Sequence, residues 1–135
     1  SEMGAAADLA IEVETGPEVI AGSTRLKAGS AQKAVLNMIS SITMIRAGKV
    51  YKNLMVDMRA TNEKLMDRSV RIFQTAAGVE DRAAAEEKLR AAGGVVKTAI
   101  VMELCRTDAE TAGRLLRENG GFVRAAVEQG NAPRG

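Results

Sequence analysis

Apolar residues recur at helical spacing in three parts of the chain and alternate in a strand-like manner in one. Val35, Met38, Ile39, Ile42 and Ile45 fall at i, i+3, i+4, i+7 and i+10, one face of a helix. Ser30 is the expected N-cap and Gly48 the expected stop, giving a helix over 30–47. Thr61 or Asn62 caps a second helix that runs to about Ala77, with Leu65, Met66, Ser69, Ile72 and Phe73 on one side and Gly78 at its end. The stretch 49–58 fits neither period. Upstream, DLAIEV at 8–13 alternates apolar and acidic residues as a short strand does, before Gly16 and Pro17 break it. A lone strand leaves its ladder groups without partners. Its sheet is therefore expected in a missing N-terminal half of a longer protein, or in another subunit.

The tail repeats itself. Asp81, Ala85, Leu89, Arg90, Gly93, Gly94, Val96 and Ala99 recur 27 positions later as Asp108, Ala112, Leu116, Arg117, Gly120, Gly121, Val123 and Ala126. Each copy predicts a capped helix, a Gly-Gly corner with φ > 0, and a second helix. Two copies are too few for a solenoid, so two similar helical hairpins packed together are expected; convergent use of one helix–Gly-Gly–helix design is the alternative.

Composition narrows the chemistry. Of 135 residues, 46% are hydrophobic and 27% charged, an ordinary globular balance. Aromatic residues make up only 2%, so Ala, Val, Ile, Leu and Met build the core and little is available to stack on nucleic-acid bases. Histidine is absent, which removes the commonest acid–base group near neutral pH and the commonest metal ligand. The single cysteine, Cys105, sits in an apolar run and reads as a core residue; intrachain disulfides and multi-cysteine zinc sites are excluded. No cofactor or metal is expected, and no apolar run is long enough to span a membrane. The N-terminus lacks the basic region of a signal peptide. These features fit a reducing compartment, and cytoplasmic localisation is expected.

Charge is unevenly placed. Positions 22–56 contain Arg25, Lys27, Lys33, Arg46, Lys49 and Lys52 and no acid, a pattern that favours an anionic ligand unless acids elsewhere in the fold compensate it. Within this region lies GPEVIAGSTRLKAGSAQK at 16–33. Ser23 and Thr24 offer hydroxyls, Arg25 a bidentate fork and Lys27 a point charge, in a Gly-rich loop entering a helix. Unpaired amides and the helix dipole favour a phosphate there. The alternative is a helix start held by its own caps, with Arg25 and Lys27 paired to Glu12 or Glu14.

That 18-residue run resembles the signature shared by N-acetylmuramic acid 6-phosphate etherases and the glucokinase regulatory protein, both of the sugar isomerase (SIS) superfamily. NLMVDMRATNEKL and VKTAIVM resemble the etherases more specifically, and the likeness extends from Ala7 to about Val127. The resemblance implies a fold that is mainly α within this chain: one N-terminal strand plus a helix completing an α/β SIS domain, followed by a small helical C-terminal bundle. Residues 1–57 would end the SIS domain, 58–78 would form a connecting helix and 79–135 the helical tail. LLRENGGFVRAAV is similar to the last two helices of ubiquitin-associated-type modules. Their Met-Gly-Phe loop is missing, which points to packing or dimerisation rather than ubiquitin binding.

The resemblance further implies a C-terminal part of a lyase that cleaves the D-lactyl ether of N-acetylmuramic acid 6-phosphate during peptidoglycan recycling. In the family two glutamates remove the C2 proton and help expel D-lactate from C3 before water adds; both lie outside this chain, which holds no catalytic residue and is expected to be inactive alone. Ser23, Thr24, Arg25 and Lys27 would bind the substrate phosphate, with Glu18 behind them in a structural role. The implied partners are an amino-sugar phosphate and a second subunit, as a homodimer, with no nucleic acid or membrane. A non-catalytic sugar-phosphate-binding module resembling the glucokinase regulatory protein is the alternative.

Overall fold

The computed structural model describes residues 1–133; the last two residues of the expected tail, Arg134 and Gly135, lie outside the described residues. The chain divides into two compact units, Ser1–Ile42 and the residues from Thr43 onward.

The first unit begins with α1 (Glu2–Ala6), whose N-cap Ser1 accepts from the Gly4 amide. Residues 7–16 follow without regular structure. The strand expected over 8–13 is not formed: among the described residues no neighbouring strand supplies ladder partners, and Leu9, Ile11 and Val13 stand exposed. A turn-rich loop then leads into α2 (Lys27–Arg46). The helix therefore starts three residues before the expected cap, Ser30, because a carboxylate from the loop caps it instead. None of its residues is buried. Met38, Ile39, Ile42 and Ile45, on the expected apolar face, are each about half exposed.

The second unit takes up the end of α2, where Gly48 at φ 68° turns the chain. The stretch without a clear period is a hairpin of β1 (Val50–Tyr51) and β2 (Leu54–Met55), paired antiparallel with Val50 opposite Met55 and Tyr51 opposite Leu54. Then comes α3 (Glu63–Ala77), with Asn62 accepting from the Leu65 amide at one end and Gly78 at φ 74° closing the other, both as expected. Four helices complete the unit: α4 (Arg82–Ala91), α5 (Val96–Cys105), α6 (Ala109–Glu118) and α7 (Val123–Gly130).

The repeat is structural. Asp81 and Asp108 cap α4 and α6, and each Gly-Gly pair has positive φ, 64° and 77° at Gly93 and Gly94, 60° and 80° at Gly120 and Gly121. Its matched apolar positions Ala85/Ala112, Leu89/Leu116, Val96/Val123 and Ala99/Ala126 are all buried. The repeat is therefore a pattern of core contacts as well as of turns. Val96, Ala99, Ile100 and Val101 of α5 are fully buried, which explains why that helix is apolar around most of its circumference. It packs against α3, α4, α6 and α7. The helix α3, expected as a connection, contributes Val70, Phe73 and Ala76 to this same core.

Both Gly-Gly corners receive the segment that enters the helical body. At the first, the Ala60 amide donates to the Gly94 carbonyl and the Val96 amide to the Met58 carbonyl, while Arg59 and Val95 form an antiparallel bridge. At the second, buried Gly48 lies against the Gly121 carbonyl, where an added Cβ would sit 3.2 Å from both carbon and oxygen. Asp57, between these contacts, pairs with Lys97 at 2.8 Å and Lys49 at 3.3 Å. The duplicated corner thus presents two landing points to one stretch of chain, with the hairpin looped out between them.

Candidate functional site

The loop at 17–28 is closed at its neck by two adjacent cross-links. The Glu18 carboxylate accepts from the Lys27 amide at 2.9 Å and from the Ala28 amide at 3.0 Å, one oxygen for each. Beside it, Lys27 Nζ donates to the Pro17 carbonyl at 3.0 Å. The next two amides of the helix are also engaged, Gly29 with the Thr24 carbonyl and Ser30 with the Leu26 carbonyl. All four amides that an α-helix leaves without intrahelical partners are satisfied by the chain itself. The first turn of α2 contains no acid, so Glu18 brings the negative charge that the helix dipole favours there.

Sequence-predicted residues occupy different parts of this loop. Ser23 is half-buried, its amide bonded to the Ile20 carbonyl; Thr24 is exposed, its amide bonded to the Gly22 carbonyl. Arg25 is exposed and makes no ion pair among the described residues. Neither Arg25 nor Lys27 pairs with Glu12 or Glu14, so the alternative ion pairing is not formed; Glu12 faces the chain's amino terminus at 3.9 Å. The structure joins Glu18 with Lys27 and leaves Ser23, Thr24 and Arg25 on the turn between them.

Next to the loop is an open cavity of about 390 Å³. Ile11 and Val13 form one side; Ala28, Gly29, Ala31, Gln32, Val35 and Leu36 of α2 form the other, with Thr24 at its edge. Its lining is largely apolar. Of the predicted phosphate-binding residues only Thr24 reaches it.

The acid-free segment is partly compensated elsewhere. Lys49 pairs with Asp57, and Lys52 donates to the Ala76 carbonyl with its ammonium 5.4 Å from the Tyr51 ring centre. Arg25, Lys33 and Arg46 make no ion pair among the described residues. The Lys97 ammonium beside Asp57 holds that carboxyl below the usual carboxylate range, with Lys49 adding to the effect and partial burial opposing it. Burial pushes the Cys105 thiol up, away from a reactive thiolate. Among the described residues no group of three or more acid, histidine or cysteine side chains could hold a metal, and no helix is long and apolar enough to cross a membrane.

Sequence reasoning missed how Glu18 acts. The usual capping box places its glutamate three residues inside the helix, whereas Glu18 lies nine residues before it, and only the folded loop brings it near. The Asp57 pair with Lys97 was equally hidden, since 40 residues separate the two.

No family model matches the chain. Curated relatives do. An N-acetylmuramic acid 6-phosphate etherase of Streptomyces coelicolor is 58% identical over 127 residues, 94% of this chain and 40% of the relative. That of Halalkalibacterium halodurans is 60% identical over 121 residues, 90% of this chain and 40% of the relative. That of Klebsiella aerogenes is 56% identical over 126 residues, 93% of this chain and 42% of the relative. The chain spans about two fifths of the length of these curated relatives. An aligned stretch of 127 residues out of 135 necessarily contains the loop at 16–33. Identity at this level across nine tenths or more of its residues makes the chain similar to N-acetylmuramic acid 6-phosphate etherases over about two fifths of their length.

Proposed function

We propose that this chain supplies the ligand-side loop of a lyase that converts N-acetylmuramic acid 6-phosphate to N-acetylglucosamine 6-phosphate and D-lactate. The observation that carries the reading is the identity of 55–60% with curated etherases over a span that contains the loop. In this reading residues 1–57 complete an α/β SIS domain, and residues 8–13 gain strand partners there that the isolated chain does not provide. The open cavity and the exposed face of α2 are covered by that sheet. The helical tail, similar to a ubiquitin-associated module in its last two helices, packs against the body of the enzyme.

Arg25 is the chief cation for the substrate phosphate. It is exposed at the tip of the turn and has no ion-pair partner among the described residues, and its planar fork matches two phosphate oxygens. Ser23 and Thr24 donate hydroxyl hydrogen bonds. Lys27 adds charge from the loop neck while bracing Pro17. The two glutamates that move the C2 proton and assist departure of lactate lie outside this chain. The protein is further proposed to act in the cytoplasm as a homodimer, in recycling of peptidoglycan sugars.

Release of D-lactate from N-acetylmuramic acid 6-phosphate by the full-length protein tests the reading. The expected result is turnover that depends on the 6-phosphate. Tight binding of the sugar phosphate without any lactate would place the protein with non-catalytic regulators, and neither binding nor turnover would remove the reading altogether.

A further inference from the structure

Glu18 lies nine residues before the first residue of α2, yet its two oxygens take the first two amides of that helix. The helix opens with Lys27, a cation at the end whose dipole disfavours cations, and has no acid in its first turn. Gly29 and Ser30 donate to loop carbonyls. The amides that could otherwise receive an anionic ligand are therefore engaged. Glu18 and the neighbouring Lys27–Pro17 bond draw both ends of the loop together, as in a compact surface loop whose termini meet. What remains outward on the turn is Thr24 and Arg25, with Ser23 half-buried beside them.

We infer that Glu18 is the positioning residue of this site: its carboxylate stands in for an anion at the start of α2. By doing so it fixes the loop so that the phosphate is received by the side chains of Ser23, Thr24 and Arg25 rather than by the helix amides. The inference rests on the sugar-phosphate reading and deepens it. A loop already closed in the binding geometry loses little freedom when ligand arrives, whereas an unclasped loop is ordered at the expense of affinity. Removing the carboxylate releases two amides and one of the two cross-links at the neck. An amide side chain at this position keeps one acceptor oxygen and can hold one of those helix amides.

The test compares wild type, Glu18→Ala, Glu18→Gln and Arg25→Ala in the full-length protein. Calorimetric titration is made with N-acetylmuramic acid 6-phosphate and with the unphosphorylated sugar, and melting temperature is recorded for each variant. Glu18→Ala is expected to weaken binding of the phosphorylated sugar about tenfold, equivalent to one decade of Kd. Glu18→Gln should recover part of that loss, and binding of the unphosphorylated sugar should not change. Phosphate preference equal to or greater than wild type in both Glu18 variants overturns the inference, whether or not the melting temperature falls. If Arg25→Ala loses the preference and the Glu18 variants keep it, only the role of Glu18 is lost. If wild type itself shows no preference, the sugar-phosphate reading falls and the role of Glu18 falls with it. Should Glu18→Ala not fold, Glu18→Gln alone decides, by its preference relative to wild type.

Discussion

Lys52 and Arg106, at φ 56° and 50°, are the non-glycine residues with left-handed backbone among the described residues. An L-residue in that region costs roughly 1–2 kcal/mol. Lys52 offsets the cost through its bond to the Ala76 carbonyl and its position over Tyr51. Arg106 ends α5 in the place usually taken by glycine, and no ion pair holds its side chain among the described residues. Glycine there relieves strain but loses more entropy on folding, about 0.5–1 kcal/mol. Arg106→Gly should therefore raise stability by about 0.5–1 kcal/mol, a Tm increase of about 2–6 °C at this size. Thermal unfolding followed by circular dichroism checks it; a lower Tm would show an unrecognised role for the arginine. Lys27→Ala is a different case, because it removes the brace on Pro17 as well as a charge. It should lower both the Tm and the affinity for a sugar phosphate, whereas Arg25→Ala should lower affinity alone.

At the scale of elements, the two Gly-Gly corners separate conformational from steric demands. Gly93 and Gly94 both have positive φ, but a Cβ at Gly93 meets nothing within 4 Å, while one at Gly94 meets the Ala60 carbonyl oxygen at 3.3 Å. Gly93→Ala should cost about 1–2 kcal/mol from backbone strain, and Gly94→Ala and Gly48→Ala more, since each also displaces a contact at a corner. Urea midpoints rank the three, and equal losses would contradict the corner packing. The ion pair at this junction has a pH signature. The folded-state pKa of Asp57 is lowered, so its contribution to stability is fully present above the usual carboxylate range and is lost as pH falls from there through the lowered folded-state value. Asp57→Asn leaves the nearly buried Lys97 ammonium without its carboxylate; a hydrogen bond to a charged group of this kind contributes about 1.5–3 kcal/mol. The Tm deficit of the variant should be full at pH 7 and should shrink towards pH 3. A deficit independent of pH would indicate lost packing instead.

The elements differed in how much their sequence disclosed, for physical reasons. Both ends of α3 were legible because its caps are local: Asn62 and Gly78 lie at its own termini. The repeat was legible because the same residues that make the corners also fill the core. The start of α2 was not, since its cap comes from Glu18 across a folded loop. The hairpin escaped because its turn places Lys52, rather than glycine or asparagine, at positive φ. The segment 8–13 has the alternation of a strand without a neighbour to pair with, and pairing is what makes a strand. At the candidate site, the residue types in the loop were readable, but the division of labour between a clasp of Glu18 and Lys27 and an outward turn of Ser23, Thr24 and Arg25 was not.

For the whole molecule, the residues from Thr43 onward have a continuous core, whereas Ser1–Ile42 exposes Leu9, Ile11, Val19, Ile20, Leu36 and Met38. Exposed apolar surface of that kind is typical of a face that something else covers. The 135-residue chain by itself should therefore self-associate, and a monomer in sedimentation at ~50 μM, where micromolar association is visible, would count against that. By itself it should also release no D-lactate. The central claim is that the loop at 16–33 receives the phosphate of an amino sugar through Arg25 and its neighbouring hydroxyls. The most direct measurement is the ratio of dissociation constants for N-acetylmuramic acid and its 6-phosphate, determined on the full-length protein and on Arg25→Ala. A charged hydrogen bond to phosphate is worth about 1.5–3 kcal/mol, so the preference for the phosphorylated sugar should fall about ten- to a hundredfold in the variant, with affinity for the unphosphorylated sugar unchanged. A ratio that stays at the wild-type value in a folded Arg25→Ala protein would contradict the claim.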